Sequence, residues 1–294
     1  MTTPNPLIPT LAGNRLTLDQ ALKRPTMIRD RIAKLADETL LLPKLFRPNG
    51  AKIEGGGLLY SVVQASDFFT ARDVEKRVPG TEYLVTPGVD PEARLALVED
   101  YGGKFAVTDE QMMRNEVNYL DQQTTQLANT IARKLDNRAM SALASAGVGI
   151  ISPSTNWSNL VFVGPEADLT PTSERPTSHF ADAQLAADLE ELGVVHDLLL
   201  VHPTQAAELR RAYAEGLDAM LKSAGLEMFV SARVPEDDAY VLQKANVGVV
   251  GFEVALTVEV YDDREHRQRW VQAYAVPAFA PDRPYAAKRI VLPV

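Results

Sequence analysis

The residues of this sequence that could do chemistry include three consecutive glycines, Gly55 to Gly57, which precede an apolar stretch. Glycine-rich turns can bind phosphate through backbone N–H groups. A Walker A loop needs a Lys-Ser or Lys-Thr pair after its glycines, and none follows here. A dinucleotide-binding loop opens a helix, whereas residues 57–66 have the pattern of a strand. We therefore interpret these glycines as a hinge in the backbone.

Histidine and cysteine provide little support for a catalytic or metal site. The chain has four histidines and no cysteine, which excludes disulfides, thiolate metal sites and a cysteine nucleophile. His196 and His202 lie six residues apart across a predicted strand and turn. A metal pair would need further ligands on the same face, so we predict that both are residues at turn edges. No cofactor and no metal is expected.

Two clusters of carboxylates are the remaining candidates. They are Glu236, Asp237 and Asp238, and Asp262, Asp263 and Glu265. Paired carboxylates can act as acid and base or can bind Ca²⁺. Both clusters fall at predicted hairpin turns, and neither matches an EF-hand loop, so we interpret them as charged turns. Because the chain also lacks a G-x-S-x-G or H-E-x-x-H motif, we expect that it is not an enzyme.

The bulk composition is that of a folded globular protein. Of the 294 residues, 46% are hydrophobic and 23% are charged. The net charge of −9 argues against a protein that binds nucleic acid by neutralising phosphates. No apolar run reaches the length of about 18 residues that a membrane helix needs. The first residues also lack the pattern of a signal peptide.

The first third of the chain predicts an arm, a broken helix and a long excursion. Residues 1–13 contain three prolines and predict an extended arm. Residues 17–41 predict a helix that is interrupted at Pro25. A strand is predicted over residues 57–66. A second extended stretch is predicted over residues 81–107, with interruptions at Pro87-Gly88 and Gly102-Gly103. An isolated hairpin is marginally stable in water, so we expect this two-stranded excursion to lie on something else.

The clearest predicted element is one helix from Thr108 to Gly147. Thr108 and Gln111 match a capping box, and Gly147 is a typical C-terminal stop. One apolar stripe runs along it at spacings of three and four, formed by Met113, Val117, Leu120, Leu127, Ile131, Leu135, Ala139 and Ala142. Thr124 interrupts that stripe and argues against the alternative, a coiled coil.

The second half of the chain has an α/β pattern followed by strands. Helices are predicted over residues 180–193 and 202–216, with a buried strand over residues 194–201 between them. Extended segments then lead to a predicted hairpin, whose turn contains residues 262–266. A last strand is predicted at the C-terminal end.

The order of these parts resembles the major capsid proteins of tailed bacteriophages, which have the Hong Kong 97 fold of the α+β class. The resemblance covers nearly the whole chain. The stretches VPGTEY, residues 78–83, and GGKFAVTDEQ, residues 102–111, look especially similar to this family in phages of actinobacteria.

The resemblance implies a division into named parts. Residues 1–46 correspond to the N-terminal arm and residues 47–90 to the extended loop, which is a β-hairpin. Residues 91–179 and 252–294 correspond to the peripheral domain, with its long spine helix over residues 108–146. Residues 180–251 correspond to the α/β axial domain.

The resemblance also implies a function, a location and partners. Such proteins form hexamers and pentamers that build an icosahedral shell around double-stranded DNA, assembled in the host bacterial cytoplasm and present in the virion. We expect a separate scaffolding protein, because no long helical region precedes the arm, as well as a portal protein and a cement or decoration protein. DNA would be contacted only nonspecifically, and no membrane is expected. The candidate contacts of the extended loop with a neighbouring subunit are Gly55, Gly56, Gly57, Tyr60, Phe68, Phe69, Arg72, Lys76 and Arg77.

Covalent cross-linking is one departure from the type member of this family. That member joins a loop lysine to an asparagine of the peripheral domain. Lys52 and Lys76 are potential donors, but no asparagine follows Asn246, so we predict a shell held noncovalently. Two alternatives to a phage shell are an encapsulin-type compartment, which shares the fold, and a small α/β enzyme built on residues 180–250.

Overall fold

A computed structural model describes residues 18–37 and 41–293. The extended arm predicted over residues 1–13 lies outside the described residues. The chain divides into two compact units. Among the described residues, unit 1 comprises residues 18–37, 100–134 and 254–276, and unit 2 comprises residues 41–99, 135–253 and 277–293. No helix of the described chain has the length and hydropathy needed to cross a membrane.

The helices and strands of the described chain are as follows. The helices are α1 Leu18–Leu22, α2 Pro25–Asp37, α3 Leu42–Leu45, α4 Asp109–Met113, α5 Val117–Ser145, α6 Pro176–Asp188, α7 Pro203–Tyr213 and α8 Leu217–Ser223. The strands are β1 Phe46–Pro48, β2 Gly57–Ser61, β3 Ala93–Leu97, β4 Tyr101–Thr108, β5 Gly149–Ile151, β6 Leu198–Val201, β7 Glu227–Val230, β8 Asp238–Leu242, β9 Gly248–Asp263, β10 Gln268–Ala280 and β11 Ala287–Val291.

The predicted break at Pro25 is present in unit 1. α1 ends at Leu22 and α2 begins at Pro25, where the fixed φ of proline suits the first turn of a helix and its missing N–H costs no hydrogen bond. The apolar side chains of Leu18, Ile28 and Ile32 are buried, as their helical spacing predicts.

The prediction of a single helix over residues 108–146 is wrong between α4 and α5, because the structure contains two helices there. The capping box is present, since the Thr108 hydroxyl accepts the Gln111 N–H and the Gln111 side chain accepts the Thr108 N–H. α4 nevertheless ends at Met113, and Asn115 has a left-handed backbone with φ 54°. Asparagine tolerates this conformation better than most residues, and its Oδ1 accepts the Leu18 N–H at 2.9 Å.

The second helix, α5, has the buried stripe that the periodicity predicts, with two corrections. Met113 is not part of the stripe, because it is 72% exposed on α4. Thr124 does not interrupt the stripe but belongs to it, with 2% of its surface exposed. Its 29 residues make α5 about 43 Å long. Leu127 packs so closely on β4 that a Cβ at Gly103 would lie 2.8 Å from its Cδ1.

One four-stranded sheet has the order β1-β9-β10-β4. The predicted turn is present at residues 264–267, between β9 and β10. In unit 1, β10 pairs antiparallel with β4 and places Gln268 opposite Thr108. In unit 2, β1 pairs parallel with the first residues of β9. Gly102 and Gly103 lie inside β4, so the interruption predicted there is wrong.

A five-stranded sheet in unit 2 has the order β5-β11-β8-β6-β7. β6 is parallel to β7 and antiparallel to β8, and its four residues are fully buried, as expected for a strand in the middle of a covered sheet. The strand predicted over residues 194–201 begins only at Leu198. The Gln184 side chain instead bonds the Val194 carbonyl and the His196 N–H, so this backbone is satisfied without a strand partner.

Candidate functional site

The candidate histidines do not come together. His202 caps the N-terminus of α7, where its Nδ1 accepts the Thr204 N–H at 3.3 Å. His196 is buried, so the prediction that it lies at a turn edge is wrong. Burial, and to a lesser extent the nearby Lys288 ammonium, lower its pKa to about 4. Among the described residues, no three His, Asp or Glu side chains are placed to bind a metal ion.

The carboxylates of the first acidic cluster fix local structure. Asp238 begins β8, is buried, and forms an ion pair with Arg289 at 2.8 Å. Glu236 and Asp237, by contrast, are exposed in the preceding turn. An acid–base pair would need two carboxyl groups that face a common cavity, and here the buried one is bound by an arginine.

The second acidic cluster organises the turn between β9 and β10. Asp263 accepts hydrogen bonds from the side chains of Gln268, His266 and Trp270. These donors, Gln268 first, hold the pKa of the Asp263 carboxyl well below its usual range. Asp262 accepts hydrogen bonds from Arg264 in the same turn and from Arg269 in β10. Sequence reasoning placed this turn correctly but missed the bond from the Trp270 indole.

The glycine run forms the root of a short antiparallel hairpin. β2 pairs with β3, with Gly57 opposite Leu97 and Ser61 opposite Ala93. Gly55 and Gly56 both have left-handed φ values, +81° and +79°, which suit glycine because it has no Cβ. A Cβ on Gly57 would lie 2.9 Å from the Leu95 side chain. This geometry is that of a tight turn into a strand, unlike the helix N-terminus of a typical phosphate loop.

The predicted two-stranded excursion is much shorter than expected. Each strand of the hairpin has five residues, and residues 69–92 contain no strand. Three prolines in this stretch lack a backbone N–H for pairing, and Gly80 turns the chain with φ +93°. We call residues 57–97 the loop segment. It consists of a paired base and an irregular distal part.

The base of the loop segment is held by hydrogen bonds across its own root and by contacts with other parts of unit 2. The Val63 N–H donates to the Asp282 carbonyl at 2.9 Å, and the Val98 N–H donates to the Gly56 carbonyl at 3.2 Å. The Phe68 ring packs edge-on against Tyr285 with centroids 6.1 Å apart. Just beyond β3, Glu99 and Arg138 form an ion pair at 2.8 Å.

The distal part leaves apolar side chains in solvent. Val85 is 82% exposed, and the exposed apolar side chains of the loop segment as a whole are Leu59, Phe68, Phe69, Val74, Val78, Tyr83, Leu84, Val85, Val89, Leu95 and Leu97. Many exposed apolar side chains within one segment are typical of a protein interaction site. Sequence reasoning named Phe68 and Phe69 but missed the valines, although their presence in a stretch without core partners was a usable signal.

The predicted contact residues occupy different parts of the loop segment. Tyr60 is half-buried in β2, and Arg72, Lys76 and Arg77 are exposed in the distal part. Arg77 donates to the Thr81 carbonyl at 3.0 Å, and its guanidinium lies over the Tyr83 ring at 4.9 Å. Arg77 therefore shapes the tip of the loop, while Gly55, Gly56 and Gly57 shape its root.

The described chain thus combines a long helix, a four-stranded and a five-stranded sheet, and a loop segment with exposed apolar side chains. The family model described as phage capsid protein matches residues 91–290, about two thirds of the chain. The chain therefore belongs to the phage capsid protein family. It is a major capsid protein of a tailed bacteriophage, and its place is in the capsid of the virion.

Solved structures support the Hong Kong 97 fold. The capsid of the cyanophage P-SCSP1u is 14% identical, with a TM-score of 0.61, and the match covers 98% of this chain and 93% of that one. The protein of Mycobacterium phage Che8 is 13% identical over 98% of both chains, with a TM-score of 0.54. A virus-like particle from Pyrococcus furiosus is 12% identical, with a TM-score of 0.59, over 90% of this chain and 98% of that one. Comparison with curated proteins finds no match.

Proposed function

We propose that this chain assembles as hexamers and pentamers into an icosahedral shell that encloses phage double-stranded DNA, and that the loop segment covers a neighbouring copy. The observation that carries this proposal is the set of exposed apolar side chains on an irregular segment with little core of its own. A fully buried valine or leucine stabilises by about 1.5–3 kcal/mol relative to an exposed one. Covering even a few of these side chains would therefore strongly favour association.

The named parts of the fold are proposed on the same basis. Residues 1–46 act as the arm, residues 47–90 as the extended loop, residues 180–251 as the axial domain, and residues 91–179 with 252–294 as the peripheral domain. The nine candidate loop residues, from Gly55 to Arg77, remain predicted contacts. Gly55 to Gly57 provide the turn at the root, and the exposed Phe69, Arg72 and Lys76 are available to a neighbour.

A shell that encloses DNA would need further partner proteins. We propose a separate scaffolding protein during assembly in the host cytoplasm, a portal protein at one vertex and a cement or decoration protein outside. The net charge of −9 favours weak, nonspecific contact with packaged DNA. The role is structural and not enzymatic, and noncovalent contacts hold the shell together.

The alternative function for the same fold is that of an encapsulin-type compartment shell. The virus-like particle from Pyrococcus furiosus is similar to this chain in fold, but at 12% identity that similarity carries no function. The match to the phage capsid family over residues 91–290 favours the phage shell. DNA inside purified particles would support the phage shell, whereas enclosed enzymes would support the compartment.

The proposed role of the loop segment is tested by replacing exposed apolar side chains of that segment with charged ones, which should leave the fold intact. The double variant V74D/V85D changes two exposed side chains, and V163D changes an even more exposed valine outside the loop segment. We expect V74D/V85D to keep its far-ultraviolet circular dichroism but to form few or no shells by size-exclusion chromatography and electron microscopy. V163D should assemble like the wild type.

Two outcomes would contradict these proposals. Normal particles from V74D/V85D would show that the loop segment does not make the contacts that hold the shell. A wild-type protein that stays a compact monomer and has hydrolase or transferase activity would overturn the structural role itself.

A further inference from the structure

The outer edge of β9 lacks a strand partner over most of its length. β1 pairs only with Gly248–Val250, and the chain that follows β1 adds a bond from the Ile53 N–H to the Phe252 carbonyl at 3.1 Å. Beyond that point, β10 is the only strand of the described chain that pairs with residues 254–263. We call residues 254–260, which belong to unit 1, the β9 edge. Its unpaired N–H and C=O groups are a template for a further strand.

The sequence of the β9 edge, VALTVEV, favours a strand and contains none of the residues that usually protect an exposed edge. Valine and threonine are among the best strand formers. The β9 edge has no proline, glycine or lysine, and Glu259 is its one charged residue. The Thr257 hydroxyl donates to the Ala255 carbonyl at 2.8 Å, which satisfies one acceptor locally. An edge with this composition favours pairing with another chain.

The apolar face of the β9 edge is incompletely covered. Alternate residues of a strand face the same side, and the residues that share the apolar face are Val254, Leu256, Val258 and Val260. Only Val258 among them is buried, and the other three are half-buried. On the neighbouring strand β10, by contrast, Val271 is fully buried. A further strand beside the β9 edge would remove this apolar surface from water.

The same edge of a second copy is the strand that matches the β9 edge best. Neighbouring copies meet in a capsid, and each β9 edge already has strand conformation. Pairing two such edges therefore needs little further ordering of the backbone, whereas the distal part of the loop segment contains no strand and would have to be ordered. Both copies would use the same surface about a two-fold axis, which is the commonest way in which identical chains associate.

Charge selects one register for the antiparallel pairing. When the edge pairs with itself, both apolar faces stay on one side of the joined sheet only if one residue lies opposite its own counterpart. Centring the pair on Thr257 places Glu259 opposite Ala255, with no like charges opposite each other. Moving the centre one residue earlier sets Glu253 opposite Glu259, and moving it one residue later sets Glu253 opposite Asp263. Like charges directly opposite each other are destabilising.

We propose that the β9 edges of two copies pair antiparallel about a two-fold axis at Thr257 and join their sheets. The proposal rests on the proposed shell function, because it assigns a contact between neighbouring copies of the shell. A strand pair of this length is much smaller than a standard interface of about 1,600 Å². The contact alone is therefore weak, and it forms where the other contacts of the shell hold the copies together. Strand addition is a recurring mode of recognition.

Disulfide cross-linking tests the register directly, because the chain has no cysteine of its own. Opposite residues of paired strands have Cα atoms about 4.5–5.5 Å apart, within the range of about 4.4–6.8 Å that a disulfide bridges. Oxidised particles of T257C should therefore give covalent dimers on a non-reducing denaturing gel.

E259C is the matched control for T257C. Glu259 lies two residues further along the same face, and its counterpart in the second copy would be about 13 Å away at about 3.3 Å per residue. E259C alone should therefore remain monomeric on the gel. Mixed particles that contain both A255C chains and E259C chains should give dimers again, because these two positions lie opposite each other in the proposed register.

A charge substitution tests whether the pairing stabilises the particle. T257K would set two lysines opposite each other, so it should lower the temperature at which particles dissociate and leave the melting of the unassembled protein unchanged. A255K introduces the same side chain on the same face, but opposite Glu259. It should leave the dissociation temperature unchanged or raise it.

Three results would overturn the proposal. They are intact T257C particles without dimers, equal dimer formation by T257C and E259C, and dimers that join T257C chains to L84C chains, which would place the loop segment on the edge. If T257C does not fold, the mixture of A255C and E259C decides. If the wild type forms no particles in electron microscopy, the shell function fails. Cross-linking is then scored on the concentrated soluble protein, where T257C dimers still support the pairing and their absence overturns it.

Discussion

Asp136 on α5 is a buried carboxyl group that holds the start of α3. Its Oδ1 accepts the N–H groups of Leu41 at 2.9 Å and Leu42 at 3.3 Å. These are donors at a helix N-terminus that have no partner within the helix. Only 6% of Asp136 is exposed. Burial raises its pKa to about 6, although both backbone hydrogen bonds and nearby Arg233 act in the opposite direction.

Replacing Asp136 by asparagine removes the charge and keeps a carbonyl oxygen that can accept both bonds. Because the folded pKa of about 6 lies above the unfolded value of 3.8, the group favours folding below the unfolded pKa. That contribution is lost as pH rises through 6. At pH 8 the ionised form costs about 3 kcal/mol, and at pH 4.5 about 1 kcal/mol. We expect D136N to be more stable than wild type by up to about 3 kcal/mol at pH 8 and by up to about 1 kcal/mol at pH 4.5.

Asp136→Ala is the matched control, because it removes the charge and the acceptor together. Two N–H groups would lose their partner, at about 1–3 kcal/mol each. D136A should therefore be less stable than D136N at both pH values. The assay is urea unfolding of the unassembled protein at pH 4.5 and pH 8, with amide exchange of Leu41 and Leu42 as the local measurement.

A loss of stability of D136N at pH 8, or a difference from wild type that is the same at both pH values, would contradict this prediction. Either result would mean that the ionised carboxylate is favoured by its hydrogen bonds more than it is disfavoured by burial. Faster exchange at Leu41 and Leu42 in D136N would show that asparagine does not replace the acceptor.

Three further predictions use the same unassembled protein or the particle. G56A should lower the free energy of unfolding by about 1 kcal/mol, because Gly56 has a left-handed φ in open space, whereas G88A, with open space and no positive φ, should be neutral or slightly stabilising. The folded pKa of His196 is about 4, below the unfolded value of 6.5. The free energy of unfolding of wild type should therefore fall by about 2–3 kcal/mol between pH 7 and pH 4.5. H196Q should not show this loss when both proteins are unfolded in urea at the two pH values. Boiled particles should run as monomers on a denaturing gel, and a ladder of covalent multimers would contradict noncovalent assembly.

Elements that depend on local pattern were predictable from the sequence. The capping box at Thr108, the break before Pro25 and the hairpin between β9 and β10 all rest on residues close together in the chain. The same holds for the buried run of β6 between two helices. These signals are strong because periodicity and capping chemistry act within a few turns or residues.

Features that depend on distant partners were not predictable. The helix breaks at Asn115, whose side chain bonds Leu18, 97 residues earlier. Asp136 was not recognised as a cap because the N–H groups that it binds belong to residues about 95 positions away. His196 is buried and lies near Lys288, 92 residues later, which its local sequence does not indicate. In each case a long-range contact decides the local conformation, and a single sequence carries no record of that contact.

The exposed apolar content of the loop segment was easier to predict from the sequence than its structure. The sequence predicted a segment without enough core, which is a property of composition and does not depend on strand register. The number of residues paired between β2 and β3, by contrast, depends on two things. The prolines of the loop segment lack the N–H groups that a longer hairpin would use. The backbone that follows β3 bonds elsewhere, since the Glu99 N–H donates to the Pro277 carbonyl. A five-residue hairpin cannot bury side chains such as Val74 and Val85, which lie beyond it. Both side chains are exposed in the single chain, and this mismatch between apolar content and available core is the reason for proposing that the loop segment contacts a neighbouring copy.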